Sequence, residues 1–519
     1  MLKFALATMS NEVELKFLIA PDDVERFLHH PVFQTVARHE LLPQQLVSVY
    51  YDTPAFDLRK NRTALRLRRM GDRWIQTVKA EGKVAGGLHE RPEWECETAE
   101  NRLDFDTIPN PTVREFFADE KIRWALRPVF VTEFTRTSSL LEFPWGEMVE
   151  CSLDQGEIRA GEQRVPLCEV ELELKTGHPA RLFELALGLQ EGIPLKLENV
   201  SKAERGYRLI TPTTALVPSK AQTPELTGES SPSGVLVCIL RSGMIHLQAN
   251  EAGVIQEEDP EFIHQMRVAL RRIRSALSIF SDYVQHAESE PLKEELRWLT
   301  RELDAARNWD VFVLETLPPI LAAFPEHQGL SWLKTTGEEW RHQQNLRAHD
   351  AVASDRYQRL LLRLGAWLCR QPWREDAKNG EGVNEEGVSP FVSRILQKRH
   401  RRLKKKGKLL VTLSPEQRHE VRIAAKKLRY AAEFFSSLYP HKRTRRYIAA
   451  LAELQEVLGA LNDTATTVSL LRGLEASTDE PIREQAKSLA LGWSGGVGQT
   501  RLKDLEAAWE NFVEQEVFW

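Results

Sequence analysis

The sequence predicts an α+β chain, with a closed antiparallel β-barrel over the first 210 residues followed by an all-α half built from two copies of one helical unit. Three observations carry this. Apolar and polar residues alternate with a period of two through the first 210 residues, between turn signals. Beyond a segment rich in Pro, Thr, Ser and Gly (Thr211 to Gly234) the period changes to 3.6. One stretch of the helical half then recurs 155 residues later.

The alternating segments are 12–19, 46–52, 63–69, 73–80, 90–97, 130–142, 147–154 and 167–175, interrupted by helical stretches near 21–37 and 179–190. Side chains two apart on a strand share a face. Glu12, Glu14 and Lys16 therefore point one way, as do Arg66 with Arg68, Thr77 with Lys79, and Arg91 with Glu93 and Glu95. So do Glu150, Ser152 and Asp154, and the run Glu169, Glu171, Glu173 and Lys175. The opposite faces carry Val13, Leu15, Phe17, Leu65, Leu67, Ile75, Val170, Leu172 and Leu174.

A solvated outer face accounts for any one such strand. Six together, with carboxylates on the first and last strands and Arg/Lys between, fit a barrel with a polar lumen. Carboxylates crowded there repel one another unless a divalent cation sits among them, and hard oxygen donors select Mg²⁺ or Mn²⁺. Arg and Lys facing them would clamp a polyanion.

In this order the residues resemble the CYTH, or triphosphate tunnel metalloenzyme, superfamily. The likeness rests on Glu12-x-Glu14-x-Lys16, Leu65-Arg66-Leu67-Arg68, Thr77-Val78-Lys79, the paired Glu93 and Glu95, Arg136, Asp154, Glu169-x-Glu171-x-Glu173 and Ser201-Lys202. It covers roughly residues 10–210. The resemblance implies an eight-stranded tunnel that hydrolyses a triphosphate with Mg²⁺ or Mn²⁺. By position, Glu12, Glu14, Asp154, Glu169 and Glu171 fall on the metal side, and Lys16, Arg66, Arg68, Lys79, Arg136 and Lys202 on the phosphate side. Glu173 shares the face, so the ligand register could slip by one pair. Glu93 and Glu95 are metal ligands or support them.

In the helical half, His264, Arg267, Arg271 and Arg274 stand at helix offsets that place them in one stripe about 80° wide. Such a stripe repels itself, and a polyanion relieves it. His419, Arg422, Lys426 and Arg429 repeat it, with Lys426-Lys427 where the first copy has Arg271-Arg272. Between the copies, Arg394 to Lys408 holds nine Lys/Arg and no acid. A solvated helix face is the plain alternative for one copy, and a weak one for two. This half resembles the CHAD family, commonly found after a CYTH domain. The resemblance implies two four-helix-like halves binding inorganic polyphosphate in a basic groove. The histidines are either polyphosphate contacts or satisfied interior groups. A stripe about 10 Å wide surrounds a thin phosphate chain but touches only one side of a duplex, which disfavours nucleic acid.

Composition bounds the rest. A chain of 519 residues exceeds one ordinary core. The expected domains are 10–210, a linker 211–234, and 235–515 with repeats at about 235–375 and 390–515, separated by a Gly/Glu-rich loop near Asp376 to Ser389. The halves are expected to fold and act separately. No run of about 18 apolar residues suggests a membrane span. Five scattered cysteines without a C-x-x-C pair argue against disulfides and zinc and fit a reducing cytoplasm. Met1 to Ser10 is too short for a signal peptide, and is either a leader or precedes a start at Met9. G-x-S-x-G, Walker A and G-x-G-x-x-G motifs are all missing.

The expected reaction is hydrolysis of inorganic triphosphate to pyrophosphate and phosphate. Alternatives are a thiamine or nucleoside triphosphatase, a class IV-type adenylate cyclase, or a non-catalytic polyphosphate scaffold. A base or thiazole ring would need an apolar pocket, for which Tyr50, Tyr51 and Trp74 are the nearest candidates. A scaffold would lack the carboxylates, which are present.

Overall fold

The computed structural model describes residues 8–38, 42–80, 82–98, 101–108, 110–211, 215–256, 259–284, 287–373, 387–474 and 481–519. The leader before Thr8 and most of the loop near Asp376 to Ser389 lie outside them. The chain forms two compact units, one of Met1–Ala215 with Asp355–Arg370, the other of Leu216–Ser354 with Gln371–Trp519.

In the first unit the strands are β1 (Thr8–Ile19), β2 (Leu42–Asp52), β3 (Ala64–Met70), β4 (Arg73–Lys79), β5 (Lys83–Ala85), β6 (Leu88–Thr98), β7 (Arg127–Glu142), β8 (Met148–Ala160), β9 (Gln163–Thr176) and β10 (Leu195–Leu197). Antiparallel pairing in the order β1-β9-β8-β7-β2-β3-β4-β6 and back to β1 closes an eight-stranded barrel, with β5 and β10 added outside the ring. All eight long strands follow from the alternation. β5 and β10 are three residues each, too short to show a period.

The barrel is polar inside and apolar outside. Leu15, Phe17, Leu65, Leu67, Val170 and Leu172 face outward and are fully buried, so something must cover them. The helix Ala180–Leu189 packs on β1 and β9. Ile108 and Phe117, from the segment between β6 and β7, pack with Leu58, Leu65, Val78 and Trp94. Each such burial is worth about 1.5–3 kcal/mol, which offsets the cost of a charged interior.

The helix Lys202–Ile210 packs against β7 and β8. Ser201 caps it by accepting from Glu204 N at 3.2 Å, and Tyr207 anchors it by donating to Asp52 at 2.7 Å. Gly206 lets it approach, since a Cβ there would stand 2.3 Å from the Phe130 ring.

The units differ from the sequence boundaries in two places. The helix Asp355–Arg370, expected in the helical half, packs on Ala180–Leu189 and β10 in the first unit. The expected linker is also not a free spacer from residue 216 onward. Leu226 N donates to Ser437 Oγ at 3.1 Å and Ser219 N to Asn250 Oδ1 at 2.9 Å, both within the second unit.

The second unit is helical. Pro260–Ile279 and Pro415–Phe434 are 20 residues each and sit at the 155-residue offset from end to end. Both begin with Pro after a capping side chain, Asp259 in one and Ser414 in the other. Among the described residues, no helix is long and apolar enough to cross a membrane.

Candidate active site

The lumen holds a cavity of about 700 Å³. Ten basic and seven acidic side chains line it, so it carries an excess of positive charge and suits a polyanion. Closure of the barrel brings the first and last long strands together, with Lys16 opposite Glu171 and Glu14 opposite Glu173 in register.

Asp154, Glu169 and Glu171 each place a carboxylate oxygen within 4.8 Å of the others. Asp154 and Glu169 stand directly opposite on β8 and β9. Like charges so placed repel, and cations surround them. Lys202 Nζ lies 2.6 Å from Asp154 and 3.0 Å from Glu171, and also contacts Glu169. Arg136 forks onto Asp154 at 2.7 and 2.6 Å and reaches Glu171. Lys16 contacts Glu171 at 2.5 Å and Glu14 at 3.0 Å, and Arg205 donates to Glu169.

Burial alone would raise the Glu171 carboxyl, but Lys16, Lys202 and Arg136 outweigh it and hold it well below the usual carboxylate range. Asp154 is likewise lowered, against its burial, by Lys202 and Arg136. Glu171 and Asp154 are thus held ionised, and with Glu169 beside them the cluster offers only hard oxygen donors, a set that fits Mg²⁺ or Mn²⁺.

Glu12 and Glu14 stand in a neighbouring group. Glu12 accepts from Lys79 at 2.7 Å and from Arg91 at 2.9 Å, and Arg91 reaches Glu14 at 2.6 Å. Burial raises Glu12, and Lys79, Arg91 and Lys16 more than reverse it. Glu93 sits 3.1 Å from Lys79 and 3.6 Å from Arg66, and its burial pushes its carboxyl up. Glu95 accepts from Thr77 at 2.9 Å and lies 3.7 Å from Arg66. Glu173 is held with Glu150 by Lys175, both at 2.7 Å, away from the three-acid cluster.

Arg68 donates to Ser48 Oγ at 3.0 Å. Burial, with Arg66 and Arg136 nearby, pushes its guanidinium down to about 10. The Nε of Arg66 is buried without a hydrogen-bond acceptor among the described residues. Both guanidiniums line the cavity. Phe134 is the floor beneath Arg68, Arg136 and Lys202, whose charged ends lie 5.9, 5.8 and 5.1 Å from its ring centre.

Of the aromatic candidates, Tyr50 lines the cavity, stacked on Phe130 with centroids 4.5 Å apart. Tyr51 packs outside the barrel against the Leu58 cluster, and Trp74 is half-buried on β4. Sequence reading gave no role to Arg91, which shares the face of Glu93 and Glu95, and missed Arg205 altogether. The signal for Arg205 is its place three residues after Lys202, on the same helical face.

In the second unit, His264, Arg267 and Arg271 are half-buried and Arg274 is exposed. Arg267 donates to Asp304 at 2.6 Å, so this stripe has an acidic partner that the repeat pattern did not show. Burial, then Arg307, pushes His264 down to about 4, leaving it uncharged at neutral pH. In the second copy His419 is exposed, while Arg422, Lys426 and Arg429 are half-buried, with Arg429 3.3 Å from Glu433. On the preceding helix, His400 is an interior group hydrogen-bonded to Tyr447 Oη at 2.7 Å.

Comparison with known proteins finds two family models on the chain, the CYTH domain over residues 10–207 and the CHAD domain over residues 238–472. An inorganic triphosphatase of Haemophilus influenzae is 35% identical over 202 residues, which cover 39% of this chain. The match spans 55% of that relative, so the chain covers about half its length. An uncharacterised protein of Mycobacterium tuberculosis is 27% identical over 458 residues, 81% of this chain and 82% of that protein. Among solved structures, the CHAD domain from the plant Ricinus communis is 34% identical with a TM-score of 0.52, and the match covers 58% of this chain and 99% of that one.

Proposed function

From a chain that joins a CYTH domain to a CHAD domain, we propose that the barrel hydrolyses inorganic triphosphate to pyrophosphate and phosphate, and that the helical half binds inorganic polyphosphate. The observation that carries the reading is a cavity lined by ten basic and seven acidic side chains, with the carboxylates of Asp154, Glu169 and Glu171 clustered in the barrel wall.

Asp154, Glu169 and Glu171 would hold a divalent cation, Mg²⁺ or Mn²⁺, which when bound neutralises charge on the phosphate oxygens and orients water. The protein's own part is positioning and charge. Arg66 and Arg68 offer underused donors to phosphate oxygens. Lys16, Lys79, Arg91 and Arg136, now paired with lumen carboxylates, can exchange part of that pairing for phosphate. Enclosure strengthens every such contact relative to water. The cavity lining is dominated by charged side chains, ten basic and seven acidic, which supports the inorganic substrate over one carrying a nucleobase or thiazole.

The test is a substrate panel of triphosphate, ATP, thiamine triphosphate and long-chain polyphosphate, each with Mg²⁺ and with Mn²⁺. Preferred turnover of triphosphate, dependent on added metal, is the expected result. Faster turnover of ATP or thiamine triphosphate, or cyclic AMP as product, would overturn it.

A further inference from the structure

Lys202 is the cation at the middle of the acid cluster, and what fixes it reaches into the other half of the sequence. Its helix follows directly on β10, the three-residue strand Leu195–Leu197. β10 pairs with β1 beside Lys16, with Phe17 opposite Leu197 and Glu198 N donating to Lys16 O at 2.9 Å. A strand this short cannot hold its own register, and among the described residues its outer edge has no further strand to bond. That edge is instead satisfied by side chains. Gln190 Nε2 donates to Leu195 O at 2.8 Å, and Leu197 N donates to Gln358 Oε1 at 3.0 Å in a buried contact. Arg359 holds the chain at Gln190, donating to its carbonyl at 2.7 Å.

Gln358 belongs to the helix Asp355–Arg370, which packs in the first unit yet lies inside the stretch matched by the CHAD model and outside the CYTH match. The docking is close. A Cβ on Gly365 would stand 2.2 Å from the Phe183 ring, so glycine is what lets this helix sit against Ala180–Leu189.

We infer that Gln358 is a positioning residue of the tunnel site: by capping the free edge of β10 it fixes the register from which Lys202 reaches the acid cluster. Without it a buried backbone donor is left unpaired, β10 slackens, and Lys202 moves. A displacement of about 1 Å from a distant change can cost about a hundredfold in rate.

The kinetic readout rests on the triphosphatase reading, so the experiment carries a second one. Gln358→Leu and Gln358→Glu are made in the full chain, each alone and with Lys202→Ala. Triphosphate hydrolysis and calorimetric triphosphate affinity are measured on proteins shown to melt cooperatively. Gln358→Leu should lower kcat/KM by about ten- to a hundredfold, while Gln358→Glu, whose carboxylate still accepts from Leu197 N, should stay within about threefold of wild type. In the Lys202→Ala background Gln358→Leu should cost almost nothing more, since both remove one function.

Wild-type kinetics in Gln358→Leu, or full additivity with Lys202→Ala, would overturn the inference. A general packing defect would show that additivity. If Gln358→Leu does not fold, Gln358→Asn, one methylene too short to reach, takes its place in the cycle. If the wild-type protein does not hydrolyse triphosphate, the functional proposal alone falls, and the same cycle is read in affinity.

Discussion

Lys202 Nζ lies 2.6 Å from Asp154 Oδ2, with Glu169 and Glu171 in contact as well. One ammonium thus sits among the carboxylates that would hold a metal. Ammonium and divalent cation compete for the same oxygens, so Lys202→Met should tighten Mn²⁺ binding several-fold while weakening triphosphate. Glu169→Gln and Glu171→Gln should each lose metal binding and nearly all hydrolysis. Titration with Mn²⁺ followed by magnetic resonance reads both effects. Unaltered metal affinity in all three proteins would show that the cation binds elsewhere.

Arg68 costs stability until a ligand arrives. Its guanidinium is buried, pushed down to about 10, and hydrogen-bonded to a neutral hydroxyl. Arg68→Met should therefore melt about 2 °C or more above wild type without ligand. The same change should weaken triphosphate about tenfold or more, the value of one charge-assisted contact. Added triphosphate should raise the wild-type melting temperature and barely move that of the variant. A variant that melts lower and binds normally would refute the assignment.

The helical unit should lose stability in acid through the half-buried His264 and the buried His400. Burial, aided by Arg307 for His264 and by Lys404 for His400, pushes both down to about 4 from an ordinary 6.5. Between those values the unfolded chain binds more protons than the folded one. Stability therefore rises with pH across that window and is lost as pH falls through it. Denaturant unfolding of wild type and His264→Gln from pH 7 to 4 checks this, since the variant's slope should be shallower. Identical slopes would mean His264 titrates normally.

Polyphosphate binding should be steeply salt-dependent, because each neutralised phosphate releases a counterion. Replacing Arg267, Arg271, Arg422 and Lys426 together should remove most of it. Arg267 is already paired with Asp304, so Arg267→Ala alone should matter less than Arg271→Ala. Filter binding with labelled polyphosphate, against duplex DNA at equal ionic strength, is the measurement. Tighter binding to DNA would refute the polyphosphate reading.

Much of the barrel could be read from the sequence because a lumen imposes strict alternation: Glu12, Glu14 and Lys16 share a face whatever else the chain does. The same rule hid the partners. Alternation says which side Arg136 is on, but not that it forks onto Asp154. Nor does it separate Glu173, tied to Lys175, from Glu169 and Glu171. The duplication was legible because a 20-residue helix repeats its charges at a fixed offset, and the structure adds that the caps recur too. The placement of Asp355–Arg370 was not. Its leucine pattern declares an apolar face without saying which surface receives it, and its contacts with β10 lie about 160 residues away in sequence.

That separation also sets a timetable for synthesis. The ring cannot close before β9 exists, since β1 pairs with it. At about 5–20 residues per second, Asp355–Arg370 emerges about 9 to 36 seconds after Ala180–Leu189, the helix it covers. Throughout that interval Phe183 and the outer edge of β10 stand open on a nearly finished barrel. Chaperone dependence should therefore be concentrated in that interval, in the middle of translation.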